Sequence, residues 1–346
     1  MRRRTPERRK AGHARRSVGN GGPRRGEYGE VRVTSRVDVG ARRGGDRSLA
    51  RERPRGGVVD HLVLLKPRVM SLVVFTGGVG FALAPGHIDW LKLLSALSAM
   101  AAGAGACGAL NMWWEADIDA RMSRTAMRPI PRGAVPAHEA LAIGVLLSVV
   151  SIAALGIQVN WLAAALLALT IAIYIPLYTM VLKRATPLNI VIGGAAGALP
   201  PMIGWAAATN SLSLGTVALF LLIFLWTPPH FWALALCRSL DYQRVGVPML
   251  PNVVGPAATC RQIMIYALLL APASFGPLMI PGVGFVYGLV AVACDAVLLQ
   301  RAFALYRLRE GAEGPRRKAA MALFGYSILY MFLLFAALLA QVLLRG

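Results

Sequence analysis

Charge is scarce in this chain, and negative charge is scarcer still. Of 346 residues 15% are charged, and the 16 Asp and Glu face 37 Lys and Arg. That low fraction, beside 56% hydrophobic residues, excludes an ordinary soluble globular domain and points to a polytopic membrane protein. Cysteine is rare too. Cys107, Cys237, Cys260 and Cys294 are scattered without metal-ligand spacing and read as small buried hydrophobes. No secretory signal peptide is visible.

The charge that is present is unevenly placed. Residues 1–57 hold 18 Lys and Arg against 6 Asp and Glu, a net of +12. This stretch is rich in Gly and Arg, poor in aromatics and without periodicity, which predicts a disordered extension. Three readings compete for it: nucleic-acid binding, a mitochondrial transit peptide, or an extension lying against anionic lipid. Its six acids argue against a transit peptide, and the lipid reading is preferred, with no nucleic-acid partner.

From residue 67 onward, nine apolar stretches are each long enough to cross a ~30 Å hydrocarbon layer as a helix. They run at 67–85, 90–111, 138–156, 161–182, 188–208, 213–235, 262–281, 284–304 and 319–343. If the basic amino terminus is cytoplasmic, so are the connections after spans 2, 4, 6 and 8. Those carry Arg121, Arg124, Arg128 and Arg132, then Lys183 and Arg184, then Arg238, Arg244 and Arg261, then five basic residues between 307 and 318. The opposite connections, near 86–89, 157–160, 209–212 and 282–283, contain no Lys or Arg. Segregation so complete predicts an amino terminus inside and a carboxyl terminus outside. Small residues crowd spans 2 and 5, which predicts central packing, and Pro200–Pro201 predicts a kink in span 5.

Ten acids lie outside the tail. Four of them, Glu115, Asp117, Asp119 and Asp241, fall in two cytoplasmic segments that follow apolar helices. Asn111, Glu115 and Asp119 are spaced i, i+4, i+8 and would share one face if span 2 continues as a helix, with Asp117 pointing elsewhere. Like charges four apart repel unless a cation sits between them. Carboxylates with an amide oxygen suit Mg²⁺, which typically takes one or two carboxylates plus substrate phosphates. Arg124, Arg128 and Arg132 close by offer planar donors to phosphate oxygens. Together these describe a diphosphate site at the membrane surface. The plainer alternative is a solvated, salt-bridged loop obeying the positive-inside rule. It does not explain why 226–251, WTPPHFWALALCRSLDYQRVGVPMLP, repeats the arrangement around Asp241. A secondary transporter would place such charges near midplane, and these lie at one membrane edge.

The run NMWWEADIDARMSRTAMRP at 111–129 resembles the N-D-x-x-D-x-x-x-D signature of the UbiA-type intramembrane prenyltransferases. It is closer still to their haem-directed, farnesyl-transferring branch. YTMVLKRATPLNIVIGGAAGALPPMIGW at 178–205, WTPPHFWALAL at 226–236 and DYQRVGVPMLPNVVG at 241–255 resemble the same branch, in the same order. The resemblance covers roughly residues 60–346, leaving the tail outside, and divides the chain into the 1–57 extension and a 58–346 membrane domain. It implies an all-α bundle of nine transmembrane helices around a central cavity opening to the cytoplasm. It implies farnesyl diphosphate and haem B as substrates, Mg²⁺ as cofactor, and haem O as product, in the bacterial plasma membrane or the mitochondrial inner membrane. Downstream haem A synthase or oxidase assembly factors would be partners.

Carried over by position, Asn111, Glu115 and Asp119 match the first metal–diphosphate motif, and Asp241 matches part of the second. Lys183 and Arg184 resemble the second basic element: either they join Arg124 and Arg128 as diphosphate contacts, or they anchor the topology. The chain departs from the superfamily pattern at Met112 and Glu115, where Asp is usual, and at Cys237, four residues before Asp241. His230, in the PPHFW stretch, is a candidate on the haem side: an iron ligand, or a histidine satisfying a carbonyl freed by Pro228–Pro229.

Overall fold

The structure, a computed structural model, describes residues 56–344. Apart from Gly56 and Gly57, the extension expected to be disordered lies outside the described residues. Every regular element described is helical. The helices are α1 (Val58–Leu64), α2 (Pro67–Leu83), α3 (Trp90–Trp114), α4 (Ala116–Asp119), α5 (Ala137–Gln158), α6 (Trp161–Ala172), α7 (Lys183–Ala185), α8 (Asn189–Ala198), α9 (Pro200–Thr209), α10 (Leu214–Cys237), α11 (Ser239–Arg244), α12 (Leu250–Val253), α13 (Gly255–Ala273), α14 (Phe285–Arg307) and α15 (Glu313–Leu343). A π-helical segment, Ile173–Leu182, joins α6 to α7.

Among the described residues, eight helices are long and apolar enough to span a membrane, and the α1–α2 pair, bent by 52°, makes a ninth. The expected spans are all present, but two begin earlier than expected. Span 7 starts at Gly255 and span 9 at Glu313. Arg261 and the basic run 316–318 end the apolar stretch without ending the helix, because Arg and Lys are good helix formers. The spans of α8–α9, α10 and α3 are 67%, 61% and 56% buried, against 39% or less in the other five unbent spans, so both Gly- and Ala-rich spans expected at the centre are enclosed, together with α10.

Alternate connections meet at opposite ends of the bundle. At one end Arg184 of α7 reaches Asp117 of α4, Ser123 reaches Asp241 of α11, and Arg132 pairs with Asp60 of α1. At the other, Asn160 caps α6 and donates to the Ala206 carbonyl at 2.8 Å, while Gln341 accepts from the Gly284 amide at 2.9 Å. The basic connections therefore share one face.

Two irregularities interrupt the spanning helices. The first is the interruption at Pro200–Pro201, where α9 crosses α2 at backbone contact. A Cβ on Gly204 would stand 1.9 Å from the Gly77 carbonyl oxygen, and one on Gly80 would stand 2.1 Å from that of Pro201. Small residues let membrane helices approach this closely, and backbone atoms cannot step aside for a methyl group. Gly204→Ala should therefore destabilise the bundle by about 1–3 kcal/mol or more. Thermal unfolding in detergent checks this, and an unchanged melting temperature would contradict the packing. The second irregularity is the π segment. Pro176 has no N–H for the helical ladder, the turns widen, and the Thr179 hydroxyl donates to the Tyr174 carbonyl at 2.8 Å.

A buried polar cluster that the sequence reading did not single out ties the last three spans together. Asp295 of α14 accepts from Tyr330 Oη of α15 at 2.8 Å and lies 2.6 Å from Ser274 Oγ after α13. Tyr287 donates to the Ser274 carbonyl at 2.7 Å. An acid inside a bundle persists only when its oxygens are paired in this way.

Candidate active site

α3 runs into the basic face and breaks at Glu115, its C-cap, before α4 resumes. The break does not scatter the predicted triad. Asn111, Glu115 and Asp119 are 3%, 3% and 2% exposed, three polar groups turned inward from successive turns. Asp117 points away, with about half its side chain exposed.

Each acid has its own cation. Lys183, carried in by the π segment, donates to Glu115 Oε1. Arg128 Nη1 lies 2.6 Å from Asp119 Oδ2. Arg184 grips Asp117 with both terminal nitrogens at 2.9 and 3.2 Å and lies over the Trp114 ring. Burial pushes the Asp117 carboxyl up, but the Arg184 hydrogen bonds outweigh it and leave its pKa below the usual value. Because that pair is open to solvent, Asp117→Asn should change stability by less than about 1 kcal/mol and leave turnover within a few-fold. A larger loss in an activity assay would place Asp117 inside the site.

Asp241 comes to the same face. It accepts from Ser123 Oγ at 3.4 Å and lies 3.8 Å from Arg244. Ser123 belongs to the segment that holds Asp119 and Arg128, so the two acidic stretches are joined directly. Arg124 is exposed and makes no hydrogen bond or ion pair among the described residues. His230 lies inside α10, seven residues before its end, against α15.

The two departures from the superfamily pattern have local reasons. Met112 is 3% exposed in an apolar cluster with Leu64, Ala109, Val135 and Ala140, where a carboxylate would be stranded. The Cys237 thiol faces α15, 3.6 Å from the Arg317 carbonyl, and takes no part in the acid–cation pairs.

One residue of the site was missed in the sequence. Lys66, in the bend between α1 and α2, adopts left-handed φ/ψ of 51° and 60° and sends its ammonium to Asn111 Oδ1 at 2.5 Å. Asn111 Nδ2 in turn donates to Thr179 Oγ1 of the π segment at 3.2 Å. The clue in the sequence was a basic residue directly before the first span, which positive-inside reasoning treats as an anchor.

Such an interlocked set of inward-facing oxygens and cations, at one end of a nine-span helical bundle, is the equipment of a membrane enzyme acting on an anionic group. The chain belongs to the UbiA prenyltransferase family, whose family model matches residues 72–328. Its curated relatives include proteins named protoheme IX farnesyltransferase. The one from Methylobacterium nodulans is 55% identical over 83% of this chain and 90% of that protein. The one from Parvibaculum lavamentivorans is 57% identical over 83% and 91%. Among solved structures, one described as digeranylgeranylglyceryl phosphate synthase matches with TM-score 0.69 at 18% identity, covering 82% of this chain and 98% of that one. A UbiA homolog from Archaeoglobus fulgidus bound to DMAPP and Mg²⁺ matches at 0.60 and 15%, covering 79% and 99%. These two show the fold.

Proposed function

We propose that this chain transfers the farnesyl group of farnesyl diphosphate to a vinyl group of haem B, with addition of water, giving haem O. The observation that carries the reading is the interlocked set around Asn111, Glu115 and Asp119, with Lys66, Lys183 and Arg128 as their partners. Relatives at 55–57% identity bear the name of this activity, which supports the choice of substrates.

The donor set suits magnesium. Asn111, Glu115, Asp119 and Asp241 offer hard oxygens only. Among the described residues no three His, Cys, Asp or Glu side chains form a metal-holding group. Mg²⁺ is ordinarily held in this way, by one or two carboxylates with substrate phosphates completing its shell. When bound, it would stabilise charge on the departing diphosphate.

The chain's own residues do the rest. Lys183 and Arg128 turn from their carboxylates, and Lys66 from the Asn111 amide oxygen, to the diphosphate oxygens, and Arg184 and Arg124 sit at the outer rim to receive them. The apolar interior beyond Asn111 shelters the allylic cation until the vinyl carbon attacks. With the basic face cytoplasmic, the chain lies in a bacterial plasma membrane with its amino terminus inside and its carboxyl terminus outside.

The test is incubation of membranes containing the full chain with farnesyl diphosphate and haem B, reading haem O by mass. Product is expected with Mg²⁺ and none above background after chelation. Absence of haem O under both conditions would refute the substrate assignment, and chelator-resistant product would refute the metal.

A further inference from the structure

His230 is 8% exposed and tightly framed. Its ring is stacked between Trp226 and Phe324, with centroids at 4.3 and 4.7 Å, and meets Phe231 edge-on at 5.1 Å. Nδ1 lies 2.6 Å from the hydroxyl oxygen of Ser327 on α15. That hydroxyl has a single proton, and the Phe324 carbonyl at 2.7 Å is placed to accept it. When the proton serves that carbonyl, the oxygen accepts from His230, Nδ1 carries the ring hydrogen and Nε2 keeps a bare lone pair. No hydrogen bond engages Nε2 among the described residues, and it is not one of the sealed, unpartnered atoms of the interior, which are Asn189 Oδ1 and Trp232 Nε1. A histidine recruited to a proline-freed carbonyl would aim a nitrogen at one. This ring does not.

We propose that Ser327 fixes His230 as the Nδ1–H tautomer so that Nε2 ligates the iron of the haem substrate and seats the porphyrin against α10. The proposal rests on the reading of haem as farnesyl acceptor and adds its binding residue and the positioning residue behind it. Metal-binding histidines typically donate their second ring nitrogen to an oxygen, which sets the tautomer and raises ligand basicity. The Trp226–Phe324 sandwich removes the ring's rotational freedom before the ligand arrives. Depth fits as well. Seven residues separate His230 from the end of α10, about 10 Å at the helical rise.

The experiment uses the purified full chain in nanodiscs with ferrous haem B, read by resonance Raman spectroscopy and by haem titration. The wild type is expected to show an iron–imidazole stretching band. Ser327→Ala should move that band to lower frequency and weaken haem binding about tenfold or more, while Ser327→Thr, which keeps the hydroxyl, should restore both. His230→Ala should lose the band and regain it when imidazole is added. A band and affinity unchanged in His230→Ala or Ser327→Ala, in a preparation whose wild type still makes haem O, would overturn the proposal and leave the acceptor assignment standing. A wild type that takes up no haem would remove the acceptor assignment, and this proposal with it.

Discussion

Asp119→Asn is expected to lower haem O formation about a thousandfold, the upper part of the range for losing one preorganised charge contact in an active site. The substitution keeps the shape of a side chain that is 2% exposed and removes its charge. Two things are lost together: the anionic metal ligand proposed above and the partner that holds Arg128 at 2.6 Å. Stability should suffer less than the ~3–5 kcal/mol of breaking a fully buried pair, because the Arg128 side chain retains 22% exposure and can reach water. Turnover and melting temperature measured on the same preparation separate these effects. A loss of less than about tenfold in turnover would show that Asp119 does not hold the metal.

Lys66→Met should cost about a hundredfold in turnover, again on the scale of one charged donor aimed at a leaving group. The methionine keeps the length and apolar stem of the lysine and removes only the ammonium. Asn111 Oδ1 then loses its donor, and the face proposed to receive the diphosphate loses one positive charge. Lys66→Arg should recover little, because a planar fork cannot take the place of a compact ammonium in an enclosed bend. Turnover equal to wild type in Lys66→Met would make Lys66 a topological anchor after all.

How far the sequence speaks for itself can be judged from particular residues. The alternation of basic and uncharged connections encodes the two ends of the bundle, since each connection's charge is a local property of the chain. The spacing of Asn111, Glu115 and Asp119 survives the break at Glu115, because a one-residue interruption barely alters the helical phase. The exposure of Asp117 follows from the same spacing. Pairing partners were less legible. Glu115 meets Lys183 from 68 residues away, and that reach depends on the π turns around Pro176, which no apolar periodicity announces. Lys66 enters only because the chain bends in a left-handed conformation between two helices. Ser327 and Asp295 stand singly in apolar stretches, and each acquires its partners only once α10, α13, α14 and α15 are packed.

The one-to-one matching of acids and cations has a thermodynamic consequence for how the substrate arrives. A metal ion that took Asp119 and Glu115 by itself would leave Arg128 and Lys183 stranded, and a diphosphate that took the cations would strand the carboxylates. Entering as a complex, the two exchange partners with the protein, and no charge is orphaned. Each should raise the other's affinity by the same factor, as linkage requires. On the proposed reading, the resting enzyme should neither sequester free magnesium nor be blocked by free pyrophosphate.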